Sequence, residues 1–414
     1  MKKILSAILV LAMVATMAIA FSSCKNSTKD FKIGVILLHD ENSTYDNNFI
    51  NSVKAAVKEL KLKDNQLVLK RNIPESNDCY EAAADLVDEG CKVIFADSFG
   101  HEEFMIKAAK EFKDVQFCHA TGTRAHTEGL DNFHNAFASI YEGRYLAGIA
   151  AGLKLKEMIN AGKFTEKEAK IGYVGAFTYA EVISGYTAFF LGAREICPEV
   201  TMEVQFTGSW YDETAEKNTA EALINNGCKL ISGHADSMGA PTACEEKKVP
   251  NIAYNGSTVE SCPETFIVSS RIDWAPYFQY ICQQVIDGKE IDTDWTGTLV
   301  TKSVALTDIN TKAAAADTAA TIEKYRKELE SGERHVFDTS KFTVAITDAI
   351  KDRCTVDENG HLTSYKADVD TDAAFTPDTE VVSNGYFHES EKRSAPYFDV
   401  EIEGITLLNR NYGD

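Results

Sequence analysis

Several motifs that mark common enzyme classes are missing from this 414-residue chain. It has no HExxH metal-binding pair, no GxxxxGK[ST] phosphate loop and no GxGxxG dinucleotide motif, and its ten cysteines form no CxxC pair. Positive charge is also scarce, since 42 lysines and arginines stand against 63 aspartates and glutamates, which gives a net charge of −21. Phosphate backbones repel a chain this acidic. We therefore expect no nucleic-acid partner, no metal and no cofactor.

The N-terminal residues have the composition of an export signal. Two lysines precede an apolar run over residues 4–21, which ends just before Cys24. This pattern predicts a lipoprotein signal peptide over residues 1–23, with Cys24 lipidated and anchoring an extracytoplasmic protein to the membrane. An ordinary signal peptide or an uncleaved anchor is the alternative. Residues 24–30 are polar and would form a tether, and no other apolar run is long enough to span a bilayer.

The remaining nine cysteines are scattered singly along the chain. Cys91 and Cys228 each come just before an apolar run that reads as a buried strand. Isolated cysteines in such places favour small core thiols over a disulfide framework, although one or two bridges stay open.

One stretch of the sequence occurs twice. GCKVIFADSFG occupies residues 90–100, and GCKLISGHADSMG occupies residues 227–239. A Lys-Ile-Gly strand start precedes each copy at nearly the same distance, at Gly34 and at Gly172. Around both copies short apolar runs alternate with helical patterns, which predicts βαβ units. The repeat therefore predicts an α/β fold of two doubly wound, Rossmann-like lobes.

The repeat also sets the expected domain boundaries. Residues 31–140 together with about 271–300 are predicted to form lobe 1, and residues 141–270 to form lobe 2. Residues 301–414 would hold the strands that return through the hinge and an accessory C-terminal region. A strand is predicted over Leu299–Leu306, and the crossings near Ile140 and Arg271 are the expected hinge pivots.

Loops at the carboxyl ends of the strands should line one cleft between the lobes. They are rich in aromatic, amide and carboxylate side chains, which suit a flat ligand with polar edges such as a purine, and also suit a sugar. Some of these residues fit helix caps or core packing equally well. The candidate ligand-binding residues are Tyr45, Asp46, Asn48, Phe49, Ser98, Phe99, Phe177, Trp210, His234, Asp236, Tyr254, Asn255 and Trp274.

A serine hydrolase is the enzymatic alternative. Residues 235–239 (ADSMG) are one glycine short of the GxSxG nucleophile motif and lie between a predicted strand and a predicted helix, so Ser237 would be the nucleophile. His335, His361 or His388 would act as the base. The missing glycine, and a second Ala-Asp-Ser at residues 96–98, argue against this interpretation. We predict no catalytic residue.

Four segments carry a resemblance to a known family: KIGYVGAFTYAEVISGYTAFFLGAR, YEGRYLAGIAAG, SWYDETAEKNTAEALINNG and GHADSMGAPTACEE. They resemble the basic membrane protein family of ABC-transporter substrate-binding lipoproteins, the purine-nucleoside receptor type, over roughly residues 31–307. The resemblance implies a type I periplasmic-binding-protein fold without enzymatic activity. It also implies a monomer that binds a purine nucleoside or nucleobase and delivers it to a permease driven by an ATPase.

The resemblance bears on two positions in the candidate site. Residues 46–49 (Asp-Asn-Asn-Phe) match the family's first binding loop at Asp46 and Phe49, but the lysine that is common there is absent, and Tyr45 competes as the stacking residue. Tyr254-Asn255 stands where nucleoside binders commonly carry an aspartate for the ribose. A free purine base therefore remains as open as a nucleoside, and a ligand-sensing receptor of the same fold remains the alternative to transport.

Overall fold

The computed structural model describes residues 29–348, 350–369, 374 and 376–410. The predicted signal peptide, Cys24 and most of the predicted tether lie outside the described residues. The strands are β1 (Ile33–Ile36), β2 (Leu67–Lys70), β3 (Val93–Ala96), β4 (Gln116–Ala120), β5 (Phe133–Ala138), β6 (Lys170–Gly175), β7 (Thr201–Phe206), β8 (Leu230–Gly233), β9 (Asn251–Tyr254), β10 (Phe266–Ile272), β11 (Asp294–Gly297), β12 (Val304–Leu306), β13 (Cys354–Val356), β14 (Leu362–Ala367), β15 (Thr379–Glu380), β16 (Val382–Ser383), β17 (Tyr386–Phe387) and β18 (Ile405–Leu407).

Helices connect most of the strands of the two large sheets. The α-helices are α1 (Thr44–Glu59), α2 (Asn77–Asp88), α3 (Glu102–Glu111), α4 (Ala125–Glu128), α5 (Ile140–Asn160), α6 (Ala180–Ile196), α7 (Glu213–Asn225), α8 (Gly239–Lys247), α9 (Ala275–Asp287) and α10 (Thr318–Glu330).

The two large sheets have the same strand order. The sheet of lobe 1 runs β11-β5-β4-β3-β1-β2 and is parallel throughout. The sheet of lobe 2 runs β12-β10-β9-β8-β6-β7-β18 and is parallel except for β12. The repeated segments occupy equivalent central places, because β1 pairs with β3 and β6 pairs with β8. The predicted pair of doubly wound lobes is confirmed.

The central strands are apolar because helices cover both of their faces. All four residues of β1 (IGVI) and of β3 (VIFA) are buried. A strand buried on both sides loses the polar alternation of a surface strand, which is why these runs are continuous in the sequence.

Helix α1 begins at Thr44 and so includes residues that were predicted to lie in a loop at the end of a strand. The reason is Ser43, whose hydroxyl accepts a hydrogen bond from the backbone N–H of Asp46 at 3.1 Å and caps the helix. Tyr45, Asp46 and Asn48 therefore lie on the first turns of a helix instead of in a loop.

Two glycines allow α5 and α6 to pack backbone against backbone in lobe 2. A Cβ atom built on Gly148 would lie 2.0 Å from the carbonyl oxygen of Phe189, and one on Gly192 would lie 2.1 Å from that of Tyr145. Such contacts exclude any side chain at the two positions.

The chain crosses between the lobes three times. The first two crossings follow β5 and β10, and the third follows β11. The predicted strand over Leu299–Leu306 is wrong at its beginning: residues 298–303 form a hydrogen-bonded turn in which Lys302 has φ +65°, and only β12 is extended. The turn is needed because β12 returns antiparallel to β10.

The C-terminal region contacts both lobes. It contains α10, a three-stranded sheet (β13-β14-β15) and a two-stranded sheet (β16-β17), and its last strand, β18, joins the sheet of lobe 2 beside β7. On the lobe 1 side, the backbone N–H of Ser394 donates to Asp294 of β11 at 2.7 Å. On the lobe 2 side, Arg194 of α6 donates to the carbonyl oxygen of Lys341 at 2.6 Å.

Candidate functional site

A cavity lies where the carboxyl ends of the strands of both lobes meet. Its empty space is about 400 Å³, including the mouth. This is near the lower end of the range for small-molecule sites. The lining residues come from the loops and helix starts that follow β1, β3 and β4 of lobe 1 and β6, β7 and β8 of lobe 2, and from the last residue of β9. They are Leu38, His39, Tyr45, Asp46, Ser98, Phe99, Thr121, Glu181, Trp210, His234, Asp236 and Tyr254.

The lobe 1 wall is fixed by Asp46. Its carboxylate accepts hydrogen bonds from the backbone N–H of His39 at 2.7 Å and from the hydroxyl of Ser43 at 2.6 Å. Burial opposes ionisation, but these hydrogen bonds outweigh it and lower the pKa of Asp46. A buried negative charge therefore stands at the start of α1, where the positive end of the helix dipole favours it.

Asp97 lies behind this wall and behaves differently. Burial, reinforced by the nearby charge of Asp46, raises its pKa well above the usual range. Its Oδ1 accepts from the backbone N–H of Leu38 at 3.1 Å, and its carbonyl oxygen accepts from the hydroxyl of Tyr45 at 2.7 Å. Asp97 thus caps no helix and instead positions two lining residues. The hydroxyl of Ser98 is engaged by Glu75 at 2.5 Å.

The lobe 2 wall contains a group of neighbouring rings that are tilted against each other. The imidazole of His234 lies 4.7 Å from the ring of Tyr254 and 6.5 Å from that of Trp210, centroid to centroid. Its Nε2 is 3.4 Å from a carboxylate oxygen of Glu181. This wall therefore presents aromatic faces with one carboxylate and one imidazole between them.

Asp236 is a second buried carboxyl at the site. Burial, and then the charge of Asp46, raise its pKa well above the usual range. The side-chain amide of Asn255 donates to its Oδ1 at 3.4 Å, and Asn255 itself adopts φ +66°. Asparagine tolerates this left-handed conformation better than most residues, which explains its position at this turn.

The two lobes touch at the mouth of the cavity. The carbonyl oxygen of Asp236 in lobe 2 accepts from both the backbone N–H and the hydroxyl of Thr44 in lobe 1, at 3.1 Å and 3.2 Å. The rings of Phe99 and Tyr179 are 5.2 Å apart across the same gap. The structure is therefore a closed arrangement of the lobes.

The structure brings eight of the thirteen candidate residues to the cavity: Tyr45, Asp46, Ser98, Phe99, Trp210, His234, Asp236 and Tyr254. The other five lie around it. Phe177 packs edge-on against Trp210 at 5.0 Å, and Asn255 supports Asp236. Asn48 donates to the carbonyl oxygen of Ile272 at 2.6 Å, at a lobe crossing.

Phe49 and Trp274 are core residues of lobe 1. Phe49 is fully buried and Trp274 is 1% exposed, and both pack among Phe95 and the neighbouring rings. Neither lines the cavity, so their predicted ligand contacts have no support in the geometry. The physical reason is that α9 turns the ring of Trp274 into the hydrophobic layer beneath α1.

Sequence reasoning missed four lining residues, namely Leu38, His39, Thr121 and Glu181. Each lies in or beside a strand-end loop that the repeat had marked, so the position was available as a signal although the residue was not selected. Arg144, which lies directly behind the cavity, was also missed. It is one of two charged residues, with Glu142, in the otherwise apolar first half of α5, and this charge was the available signal.

Ser237 is hydrogen-bonded to Glu216 and to the start of α8. Its backbone N–H donates to the carboxylate of Glu216 at 3.2 Å, and its hydroxyl accepts from the backbone N–H of Gly239 at 3.1 Å. The three histidines considered as bases lie in the C-terminal region: His335 stacks on Tyr386, His361 contacts the carbonyl oxygen of Phe342, and His388 contacts Ser383.

The chain crosses three times between two α/β lobes, and the lobes close on an aromatic cavity. This arrangement defines a solute-binding protein of the type I periplasmic class. The chain belongs to the family described as PnrA-like ABC transporter substrate-binding proteins, whose family model matches residues 33–335. Members of this family bind solutes outside the cytoplasm for ABC transporters. Among the described residues, no helix combines the length and the apolar character that crossing a membrane requires.

Individual relatives agree with the family. A purine-binding protein of Brucella abortus (strain 2308) is 31% identical over 217 residues, which are 52% of this chain and 58% of that protein. A Haloferax volcanii protein provisionally named an ABC transporter glucose-binding protein is 34% identical over 206 residues, 50% of this chain and 49% of that protein. The chain thus spans about half the length of these curated relatives.

One solved structure shows the shared fold. The ABC transporter solute-binding protein from Conexibacter woesei superposes with a TM-score of 0.60 at 19% identity, covering 74% of this chain and 98% of that chain.

Proposed function

We propose that this chain captures a purine nucleobase or purine nucleoside between its lobes and delivers it to the permease of an ABC importer, with permease and ATPase as separate chains. The observation that carries this proposal is the lining of the cavity. Tyr45 and Phe99 of lobe 1 and Trp210 and Tyr254 of lobe 2 supply aromatic surfaces, and carboxylates and imidazoles lie between them. A purine is a flat ring with hydrogen-bonding edges, which such a lining suits.

Two features favour the free base over the nucleoside. The side-chain amide of Asn255 donates to the carboxyl of Asp236, which limits the hydrogen bonds that this side chain can make to a ribose. The empty space of about 400 Å³ also includes the mouth of the cavity, so the enclosed part is small. The Brucella relative named for purine binding supports the same ligand class.

A sugar is the second candidate ligand. Aromatic faces flanked by carboxylates also suit a pyranose ring, and the Haloferax relative is provisionally named for glucose binding. The transport role and the cavity are the same in both proposals, and only the solute differs.

In this proposal the protein is a monomer that lies outside the cytoplasm and is anchored to the cell membrane by a lipid on Cys24. The export signal and the cysteine at its end support the anchor, and the proposed lobe closure needs no second copy. Metabolic labelling with an alkyne fatty acid should mark the wild-type protein and leave Cys24→Ser unmarked. Equal labelling of both would contradict the anchor at this residue.

We also propose that Ser237 has no catalytic role. Its hydroxyl is engaged by the start of α8, and the structure places no histidine among its described hydrogen-bond partners. A serine-reactive phosphonate should leave the native protein unlabelled, and covalent labelling of Ser237 would contradict the proposal.

Calorimetric titration with adenine, guanine, hypoxanthine, their nucleosides and glucose tests the ligand. We expect at least one purine to bind, and Trp210→Ala to weaken binding about tenfold or more, since it removes one aromatic wall. Trp295→Ala removes the same side chain from β11, outside the cavity, and should leave the affinity unchanged. No heat and no thermal shift with any purine would overturn the proposal, and binding of glucose alone would favour the second candidate.

A further inference from the structure

Arg144 is a buried cation that touches the cavity wall from behind. Its side chain is fully buried. The Nη2 atom lies 2.9 Å from the carbonyl oxygen of Gly233 and 3.0 Å from Nδ1 of His234, and the guanidinium carbon lies 4.1 Å from the centroid of the Tyr254 ring. Arg144 is not itself a lining residue. It nevertheless contacts His234 and Tyr254, which are lining residues.

The contact between Arg144 and His234 determines where the imidazole carries its proton. A guanidinium has only N–H donors and accepts no hydrogen bond. Nη2 also contacts the hydroxyl oxygen of Tyr173, and a protonated Nδ1 would set its N–H against this donor nitrogen at 3.0 Å, so the geometry favours a lone pair on Nδ1. The hydroxyl of Tyr173, 3.3 Å from the same Nδ1, can donate to that lone pair as well. The proton of a neutral His234 therefore resides on Nε2.

The imidazole is also kept neutral. Burial, and in addition the positive charge of Arg144, lower the pKa of His234. The Nε2–H group faces the cavity side, where a carboxylate oxygen of Glu181 lies 3.4 Å away. Glu181 and His234 therefore stand side by side in the lining as one hydrogen-bond acceptor and one donor.

We infer that Arg144 is a positioning residue that fixes His234 as a hydrogen-bond donor, so that the Glu181–His234 pair recognises a ring edge with a donor and an acceptor on adjacent positions. This inference rests on the proposed function and narrows its ligand class. The amide-like edge of a 6-oxopurine and the amino-pyrimidine edge of adenine both carry such a pair. Blocking the donor by methylation should remove one of the two contacts.

Nitrogen-15 NMR of the imidazole groups tests, without any ligand, whether Arg144 fixes the proton of His234 on Nε2. We expect the wild-type spectrum to show His234 as the Nε2–H form and the Arg144→Met spectrum to lose that single form. Arg194→Met is the matched control. Arg194 is another lobe 2 arginine that stacks on a ring, Phe190, and donates to backbone carbonyls, but it lies far from the cavity. It should leave the His234 signals unchanged.

Titration with the purine that binds most tightly tests whether the oriented Glu181–His234 pair recognises the ligand. Arg144→Met and His234→Leu should each weaken binding about tenfold or more, because each removes an oriented buried donor. His234→Gln restores an N–H near the Nε2 position and should recover most of the loss. If Arg144→Met fails to fold, Arg144→Gln, whose uncharged amide can present either a donor or an acceptor to Nδ1, takes its place.

Each outcome decides the inference. An Nδ1–H form in the wild type, an unchanged tautomer in the Arg144 variant, or an unchanged affinity in that variant would overturn it. Absence of purine binding to the wild type would instead defeat the proposed function, while the tautomer of His234 would still be readable.

Discussion

The rings of Phe49 in α1 and Trp274 at the start of α9 stack on each other, with centroids 4.6 Å apart and planes 26° from parallel. Both residues had been candidates for stacking on the ligand. Their mutual contact instead joins the first helix of lobe 1 to the helix that re-enters it from lobe 2.

This contact predicts a loss of stability without a loss of affinity. Phe49→Ala should lower the free energy of unfolding by about 3 to 5 kcal/mol, because it opens a cavity among close-packed rings. Denaturant unfolding measures the loss, and titration of the folded fraction measures the affinity. A weaker affinity with unchanged stability would return Phe49 to the binding site.

Trp210 should report ligand binding through its fluorescence. In a Trp274→Phe, Trp295→Phe double variant it is the only remaining tryptophan, since the sequence has three. Ligand in the cavity replaces water beside its ring, so we expect a shift in the emission maximum that saturates with the calorimetric affinity. The complementary Trp210→Phe variant should show little change. An unchanged emission maximum of Trp210 at saturating ligand would contradict its position in the cavity wall.

The contact of Thr44 with the carbonyl oxygen of Asp236 should stabilise the closed arrangement. Thr44→Val keeps the shape but removes the hydroxyl donor, so the affinity should fall severalfold, as expected for about 1 kcal/mol. We expect the change mainly in the dissociation rate, measured by stopped-flow. Thr127→Val removes a similar bond, 3.1 Å to the carbonyl oxygen of Arg124, within lobe 1 alone and is the control. Equal effects of the two variants would contradict a specific role in closure.

Glu216 should make the stability depend on pH. Burial raises its pKa from 4.5 to about 7. The folded protein thus holds the proton more tightly than the unfolded chain. The free energy of unfolding therefore falls as pH rises from about 4.5 to about 7, by on the order of 3 kcal/mol, and this contribution is constant above that range.

Glu216→Gln removes this titration. Denaturant unfolding at pH 5 and pH 8 should show a smaller decrease for the variant than for the wild type. The wild type and the variant share the other carboxyls with raised pKa values, Asp97, Glu142, Asp236 and Glu389, so the difference between their two decreases reports Glu216. Identical decreases would contradict the raised pKa.

The nine cysteines among the described residues are free and buried. Burial raises the pKa of Cys91 and Cys262 to about 11 and of Cys118 and Cys228 to about 12, so the reactive thiolate is scarce. We expect a thiol reagent to label the native protein slowly, to label all nine after denaturation, and reducing agent to leave the melting temperature unchanged. Rapid native labelling would contradict this.

The fold was largely predictable because its signals are local. Buried strands read as continuous apolar runs, and the repeat predicted two lobes built from the same βαβ units. The start of α1 was missed, since a single side-chain bond from Ser43 extends the helix into a polar segment. The crossing at residues 298–303 was also missed, because a turn between lobes has no pattern of its own.

The site was less predictable, because aromatic residues near strand ends serve either a ligand or the core. Phe49 and Phe99 have the same chemistry, but Phe49 is buried and Phe99 is 40% exposed at the cavity mouth. The packing of α9 decides between these roles, and α9 lies more than 150 residues further along the chain. Arg144 acts through His234, a partner distant in sequence that no spacing rule would connect to it.

The position of β18 has a consequence for the order of events during synthesis. Ile405 pairs with Met202, so the edge of the lobe 2 sheet is covered by residues made some 200 positions later. Until they emerge, β7 presents an open edge to which other chains can add. Lobe 2 therefore completes its sheet only after residues 405–407 have been synthesised, and non-local pairing of this kind is slow. A chain cut short before residue 405 is expected to aggregate rather than fold.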